Sequence, residues 1–294
     1  MKIYNNIFEK QNVIKAGIIS IGFFDSMHLG HKKVIKNLLD ISNKNNLENY
    51  ILTYSELPTK ETIWKKVIEL NDRLQIIKNM GIKNVILSNF NNKFSKLKPD
   101  EFIKLLKENF NIKQYLIRDD FHFGFNKNGN IKNLEKAGCE INLIEPIYIN
   151  DQLVSTSNIK KALSTGNIET ANSLLGYNYY IVGMVKKGKQ LGRRLGFPTM
   201  NFYNNQILIP QEGVYLTKTH IKEKTYYSMT YVCDNTIETY LIGYDKFHYN
   251  FKIRVDFFKK IRDNATFQDL ESLKVQLEKD LLVVIDYFKI RSNR

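Results

Sequence analysis

The feature that most constrains this chain is a change of texture at Gly176. Before it, short apolar runs alternate with amphipathic stretches. "GIISIGF", "YILTYS", "NVILSNF", "QYLIRD" and "EINLIEPI" have the length and β-branched content of buried strands. Between them, "KKVIKNLLDIS" sets Val34, Ile35, Leu38, Leu39 and Ile41 on one helical face. "ETIWKKVIELNDRLQIIKNMG" predicts a long amphipathic helix stopped by Gly81, and "PDEFIKLLKENF" carries Pro99 in its first turn. Two short helices, around "NIKKALSTG" and "NIETANSLLG", end this part. Strands alternating with helices predict an α/β domain over 1–176, with a doubly wound parallel sheet. After Gly176 come "YNYYIVGMV", "GVYLTKTHI", "KTYYSMTYV", "TIETYLIGY" and "FKIRVDFF", separated by turn signals. They predict an antiparallel β-barrel domain over 177–294, closed by one long helix in "FQDLESLKVQLEKDLLVVIDYF". The length of 294 residues exceeds a single core, in line with two domains.

Composition narrows the functional classes. No run approaches a membrane span, and "MKIYNNIFEK" lacks the apolar segment of a signal peptide. Cys139 and Cys233 show neither CxxC spacing nor a disulfide framework, so a reducing cytoplasm is the expected setting. The net charge of +14 is compatible with nucleic acid, anionic membranes or small phosphorylated ligands. Its lysines are dispersed along the chain, which makes nucleic acid the weaker choice.

Only five histidines occur, and two of them stand three residues apart in "SIGFFDSMHLGH". The segment lies where the first predicted strand hands over to a helix. In open parallel sheets ligands bind at such handovers, and helix amino-terminal N–H groups attract anions. Gly22 permits close backbone approach and Gly30 leaves room between the imidazoles of His28 and His31. Those imidazoles suit phosphate oxygens. A metal pair completed by Asp25, or a chance spacing, are the competing explanations. The position, with the preceding Gly22-Phe23-Phe24-Asp25, resembles the signature of the nucleotidyltransferase superfamily, whose members attack a nucleotide's α-phosphorus and release pyrophosphate.

A second segment, "GMVKKGKQLGRRLGFPTMNF", spans Gly183 to Phe202. Gly183, Gly188, Gly192 and Gly196, with Arg193, predict a flexible loop able to wrap a phosphate chain. Thr199 and Asn201 are two apart, so a strand turns both to one face. Their hydroxyl and amide oxygens are hard ligands suited to magnesium shared with ATP. An ordinary hairpin loop accounts for scattered glycines, but not for the whole pattern G-x-V-x-x-G-x-x-x-G-R-x-L-G-F-P-T-x-N.

This segment resembles the signature of riboflavin kinases. The N-terminal part resembles the FMN adenylyltransferase domain that precedes it in bifunctional bacterial FAD synthetases. The resemblance implies phosphorylation of riboflavin to FMN and adenylylation of FMN to FAD, with ATP as co-substrate and magnesium as cofactor. It implies that the glycine-rich loop holds ATP and that Thr199 and Asn201 bind magnesium. Glu238, in "IETYLIG", is then the catalytic base, and Arg262 lies near the flavin. "DFHFG" matches the family's D-F-x-F-G, making Asp120, Phe121, Phe123 and Gly124 flavin-binding. "STSNIK" matches its phosphate motif, giving Ser155, Thr156, Ser157 and Lys160. His122 and Lys160 stand where arginines are usual, and lysine keeps charge but loses bidentate grip. Ser26 replaces a glycine, Ser55 and Leu57 replace an Asp and a His, and "SMTYVCDNT" is a poor match to the family's N-I-G-x-x-P-T. These departures leave two alternatives, a flavin kinase with a decayed adenylyltransferase domain and a non-catalytic flavin or nucleic-acid binder. HxGH also occurs in class I aminoacyl-tRNA synthetases, but no K-M-S-K-S-like loop accompanies it here.

Overall fold

The buried run Gly17–Ile21 forms an interior strand of the first architecture. A computed structural model describes residues 1–56, 65–188, 191–244, 246 and 249–289. Its first part runs β1 (Lys2–Tyr4), β2 (Gly17–Ile21), α1 (Leu29–Lys44), β3 (Glu48–Tyr54), α2 (Leu70–Asn79) and β4 (Asn84–Ser88). It continues through α3 (Asn92–Ser95), α4 (Pro99–Phe110), β5 (Ile112–Ile117), α5 (Ile131–Lys136) and β6 (Glu140–Leu143). The strands form one sheet in the order β1-β4-β3-β2-β5-β6, with every pairing parallel. Near-continuous apolar strands such as "GIISI" suit a sheet covered on both faces. From β2 the chain winds one way to β3 and β4, then returns to the other side with β5 and β6. The reversal opens a crevice beyond the carboxyl ends of β2 and β5.

The second part begins after a short hairpin, β7 (Tyr148–Ile149) and β8 (Gln152–Leu153). It contains α6 (Thr156–Ser164), α7 (Ile168–Leu175), β9 (Tyr180–Met184), α8 (Leu191–Arg194) and β10 (Thr199–Phe202). β11 (Gly213–Ile221), β12 (Lys224–Cys233), β13 (Thr236–Leu241), β14 (Lys252–Arg262) and α9 (Leu270–Phe288) complete it. Six antiparallel strands follow the order β10-β13-β12-β11-β14-β9. Just past β9, Lys186 N–H donates to the Asn201 carbonyl at 2.8 Å, joining the two edges. Inside, Thr217, Thr230, Thr239, Thr219 and Ser228 form a closed ring of side-chain hydrogen bonds, all fully buried. Each hydroxyl finds a partner within the ring, so these polar groups can be buried without leaving donors unpaired. The alternate residues Met229, Tyr231, Glu238 and Tyr240 line a cavity together with Leu273 and Leu277 of α9.

Several sequence expectations shift. The compact units divide at Val154/Ser155 rather than near 176: α6 and α7 group with the barrel, where Asn172 Nδ2 donates to the Phe257 carbonyl at 2.9 Å. Residues 65–68 also join that unit, because Lys66 pairs with Gln206 and Leu208. This pairing explains why the long helix expected from residue 61 starts only at Leu70; residues 57–64, including Leu57, lie outside the described residues. The glycine-rich segment contains a short helix, Leu191–Arg194, where an irregular loop was expected. No helix among the described residues is long and apolar enough to cross a membrane.

Candidate functional site

His28 stands between β2 and α1 because its backbone is extended and its side chain caps the helix. Its Nδ1 accepts the His31 backbone N–H at 3.1 Å. Accepting there places the proton of the neutral ring on Nε2, which is left as a donor. The His28 and His31 rings stack at 3.7 Å with an interplanar angle of 8°. A side chain at Gly30 would come within 2.9 Å of His28 Cε1, so glycine is what lets the turn close over the ring. His31 Nδ1 is buried with no hydrogen-bond partner among the described residues, and His31 lines the crevice.

Burial, aided by the nearby Lys32 charge, holds the His28 imidazole down to about 4. His31 is held well below the usual imidazole value by burial, then by His28 and Arg73. Both rings are therefore neutral N–H donors at pH 7. Because the folded His28 value lies below the unfolded 6.5, its contribution to stability is complete above pH 6.5 and is lost as pH falls toward 4. Thermal melts of wild type and His28→Gln should converge across that window, the wild type losing more on acidification.

The crevice has a volume of about 370 Å³ and is lined by Gly22, Phe24, Arg118, Asp120, Phe121 and His122, among others. Asp120 is held bidentately by Arg118 at 2.9 and 2.7 Å. A second cavity of about 150 Å³ shares Ile21, Phe121, His122 and Lys127 with it. Its walls are aromatic, with Tyr54, Phe90, Phe94, Phe102 and Phe123. Of these the sequence pointed only to Phe121 and Phe123; Tyr54, Phe90 and Phe94 were visible as "TYS" and "NFNNKF" but sit far apart in the chain. Gly124 adopts a left-handed φ of 72° and directs the loop after Phe123. Asp25 is buried near Arg73, and the Phe23 ring lies under the Arg73 guanidinium at 4.7 Å. Ser155 caps α6 through the Asn158 N–H at 3.2 Å, Thr156 opens that helix, and Ser157 follows it. Lys160 Nζ donates to the Lys65 carbonyl at 2.8 Å.

In the barrel, register does the assembling. Asn201 pairs opposite Glu238 and Thr199 opposite Tyr240. Thr199 Oγ1 donates to Glu238 Oε2 at 3.3 Å, and Asn201 Nδ2 donates to Thr199 Oγ1 at 3.3 Å. A hydroxyl, an amide and a carboxylate thus converge from β10 and β13. All are hard oxygen donors, the set that a magnesium ion takes. Gly188 lies over this cluster, where an added side chain would meet Asn201 at 2.5 Å, and one added at Gly192 would run into the Phe197 carbonyl. Gly183 instead abuts the Phe202 ring in the barrel interior, and Gly196 takes a left-handed turn after α8. Arg193 lies in the last turn of α8.

Beside the cluster is a cavity of about 300 Å³, lined by Thr199, Tyr231, Glu238, Tyr240, Arg262 and Phe267, among others. Arg262 is committed to α9: its Nε and Nη2 bond the buried Asp280 carboxylate at 2.9 and 2.8 Å. The guanidinium is therefore oriented by the closing helix as it lines the cavity. Tyr231, Tyr240 and Phe267 carried no sequence signal beyond aromatic content.

Both architectures and their clefts are those of enzymes that transfer phosphoryl or nucleotidyl groups. A model of the FAD synthetase family matches residues 10–158, and a riboflavin kinase model matches residues 175–288. The bifunctional riboflavin kinase/FMN adenylyltransferase of Buchnera aphidicola subsp. Schizaphis graminum is 31% identical, covering 99% of this chain and 100% of that protein. The protein of the same description from Bacillus subtilis is 30% identical over 92% of each chain. A solved Streptococcus pneumoniae structure described as a macrolide-efflux protein superposes with a TM-score of 0.86 at 23% identity, covering 96% and 98%, a likeness of fold. This chain belongs to the bifunctional riboflavin kinase/FMN adenylyltransferase family.

Proposed function

We propose a division of labour for the two transfers of this bifunctional enzyme, which uses ATP to make FMN from riboflavin and FAD from FMN. Residues 1–176 carry adenylyl transfer and 177–294 carry the kinase, with α6 and α7 packed on the barrel. The observation that supports this best is the convergence of Thr199, Asn201 and Glu238 on one face of the barrel.

At that site Thr199 and Asn201 are the residues that would hold magnesium, which when bound would neutralise charge on the phosphate oxygens of ATP. Glu238 accepts the proton of the riboflavin 5′-hydroxyl as that oxygen attacks the γ-phosphorus. Arg193 and the backbone around Gly188, Gly192 and Gly196 bind the nucleotide, and Gly183 gives the strand close access to the core. Tyr231, Tyr240 and Phe267 enclose the flavin next to Arg262.

At the parallel sheet, Nε2–H of His28 and the ring of His31 hold the ATP phosphates against the turn Gly22-Phe23-Phe24-Asp25, with Gly30 clearing space. The FMN phosphate attacks the α-phosphorus and pyrophosphate leaves. The aromatic cavity around Phe121 and Phe123 receives the isoalloxazine, with Asp120 and Gly124 shaping its mouth. Ser155, Thr156, Ser157 and Lys160, which fall in the compact unit of the barrel, carry the hydroxyl and ammonium groups of the motif that the family resemblance assigns to phosphate binding. No enzyme nucleophile is required, because the substrate oxygens attack directly. The chain acts in the cytoplasm, in keeping with two free cysteines, Cys139 and Cys233.

Thr199→Ala tests the metal assignment. It should raise the magnesium concentration needed for half-maximal FMN formation by roughly tenfold while leaving the magnesium dependence of FAD formation unchanged. An unchanged requirement for the kinase would remove Thr199 from the metal site.

A further inference from the structure

Arg73 is the bulkiest fully buried side chain among the described residues, at 2% exposure, yet no sequence motif includes it. It lies in the first turns of α2, behind the turn that leads to His28. Nη1 donates to the Phe23 carbonyl at 2.5 Å and Nη2 to the Tyr54 carbonyl at 2.6 Å. These carbonyls follow β2 and end β3, so one planar fork ties two adjacent strand ends together. Thr53 Oγ1 adds a second bond to the Phe23 carbonyl at 2.9 Å, and the Phe23 ring lies against the guanidinium.

Burying an ion costs several kcal/mol, so an arginine here calls for an account beyond packing. The turn supplies it. Phe24 and Met27 both adopt left-handed backbones, at φ 53° and 43°. Such a backbone is strained for a non-glycine residue and persists only where surrounding contacts over-determine it. His28 follows Met27 directly, so relaxation of the turn moves the helix cap and, with it, both stacked imidazoles.

We propose that Arg73 is a positioning residue for adenylyl transfer, clamping the strained turn that presents His28 and His31 and setting a permanent cation behind it. The inference rests on the assignment of those two histidines to the ATP phosphates. The charge has consequences of its own. Burial lowers Arg73 only to about 10, with Asp25 opposing the shift, so it is a cation at neutral pH. Its field is one of the causes that keep His31 neutral. Lysine preserves the charge but replaces the rigid planar fork, whose two nitrogens each meet one strand's carbonyl, with one compact ammonium on a flexible stem.

The test uses the full chain, magnesium and ATP, measuring FMN formation from riboflavin and FAD formation from supplied FMN. Arg73→Met should lower kcat for FAD formation by roughly 100-fold, the cost of a displacement of about 1 Å in reacting groups. FMN formation should stay within about twofold, as an internal check that the chain folds. Arg73→Lys should recover part of the loss. The acid limb of kcat/KM for FAD formation should move to higher pH in Arg73→Met and stay in place in Arg73→Lys, a difference that a purely structural role does not produce. FAD formation within about threefold of wild type in Arg73→Met, or equal loss of both activities, overturns the proposal. So does an acid limb that is unmoved in both variants. If Arg73→Met fails to fold, Arg73→Lys with undiminished kcat overturns it instead. A parallel His28→Ala variant that still makes FAD refutes the underlying phosphate-site assignment, separately from any result at Arg73.

Discussion

His28→Ala is expected to lower FAD formation from FMN by roughly 10²–10⁴-fold while FMN formation from riboflavin proceeds at its normal rate. The substitution removes the Nε2–H donor and, with it, the cap that Nδ1 makes on the His31 backbone N–H at 3.1 Å. Loss of a cap costs about 1 kcal/mol, too little to unfold the sheet. On the proposed assignment the large effect is electrostatic: a neutral donor, fixed in its tautomer, is lost from beside the phosphates on which charge develops. His28→Gln keeps an N–H donor and should retain more activity than His28→Ala. Chromatography of the flavin products separates the two steps. A fall in FMN formation of the same size would contradict the assignment.

Glu238→Gln is expected to do the reverse. Glutamine keeps the shape opposite Asn201 and a partner for Thr199, so the register of β10 and β13 should persist. It cannot accept the hydroxyl proton, and FMN formation should fall roughly 10²–10⁴-fold. FAD formation from supplied FMN should be unaffected. A kinase rate within about threefold of wild type would assign the base to another group. The ring of buried hydroxyls explains why this position tolerates little movement. A one-residue slip of β13 would turn Glu238 inward and Thr239 into the cavity, breaking the ring.

Much of this was legible in the sequence for identifiable reasons. The alternation before Gly176 carried the parallel sheet, since buried strands and amphipathic helices have different periods. That His28 meets His31 and Thr199 meets Asn201 was legible because each pair is close in the chain and belongs to one turn or one strand face. Glu238 needed the family resemblance, as its meeting with Thr199 depends on the pairing of β10 with β13. Arg73 was invisible because its partners, the Phe23 and Tyr54 carbonyls, are backbone groups that leave no trace in residue identity. The short helix at Leu191–Arg194 was hidden by the glycines around it. The late start of α2 came from pairing of Lys66 with Gln206 and Leu208, a contact that local periodicity cannot register.

The proposed division of labour gives each of the two transfers its own independent site. Mixing His28→Ala protein with Glu238→Gln protein, in the presence of riboflavin, ATP and magnesium, tests it most directly. Neither variant alone should convert riboflavin to FAD at more than a trace. The mixture should accumulate FAD, because FMN released by the first protein is adenylylated by the second. A mixture that makes FMN but no FAD, or neither product, would contradict the account.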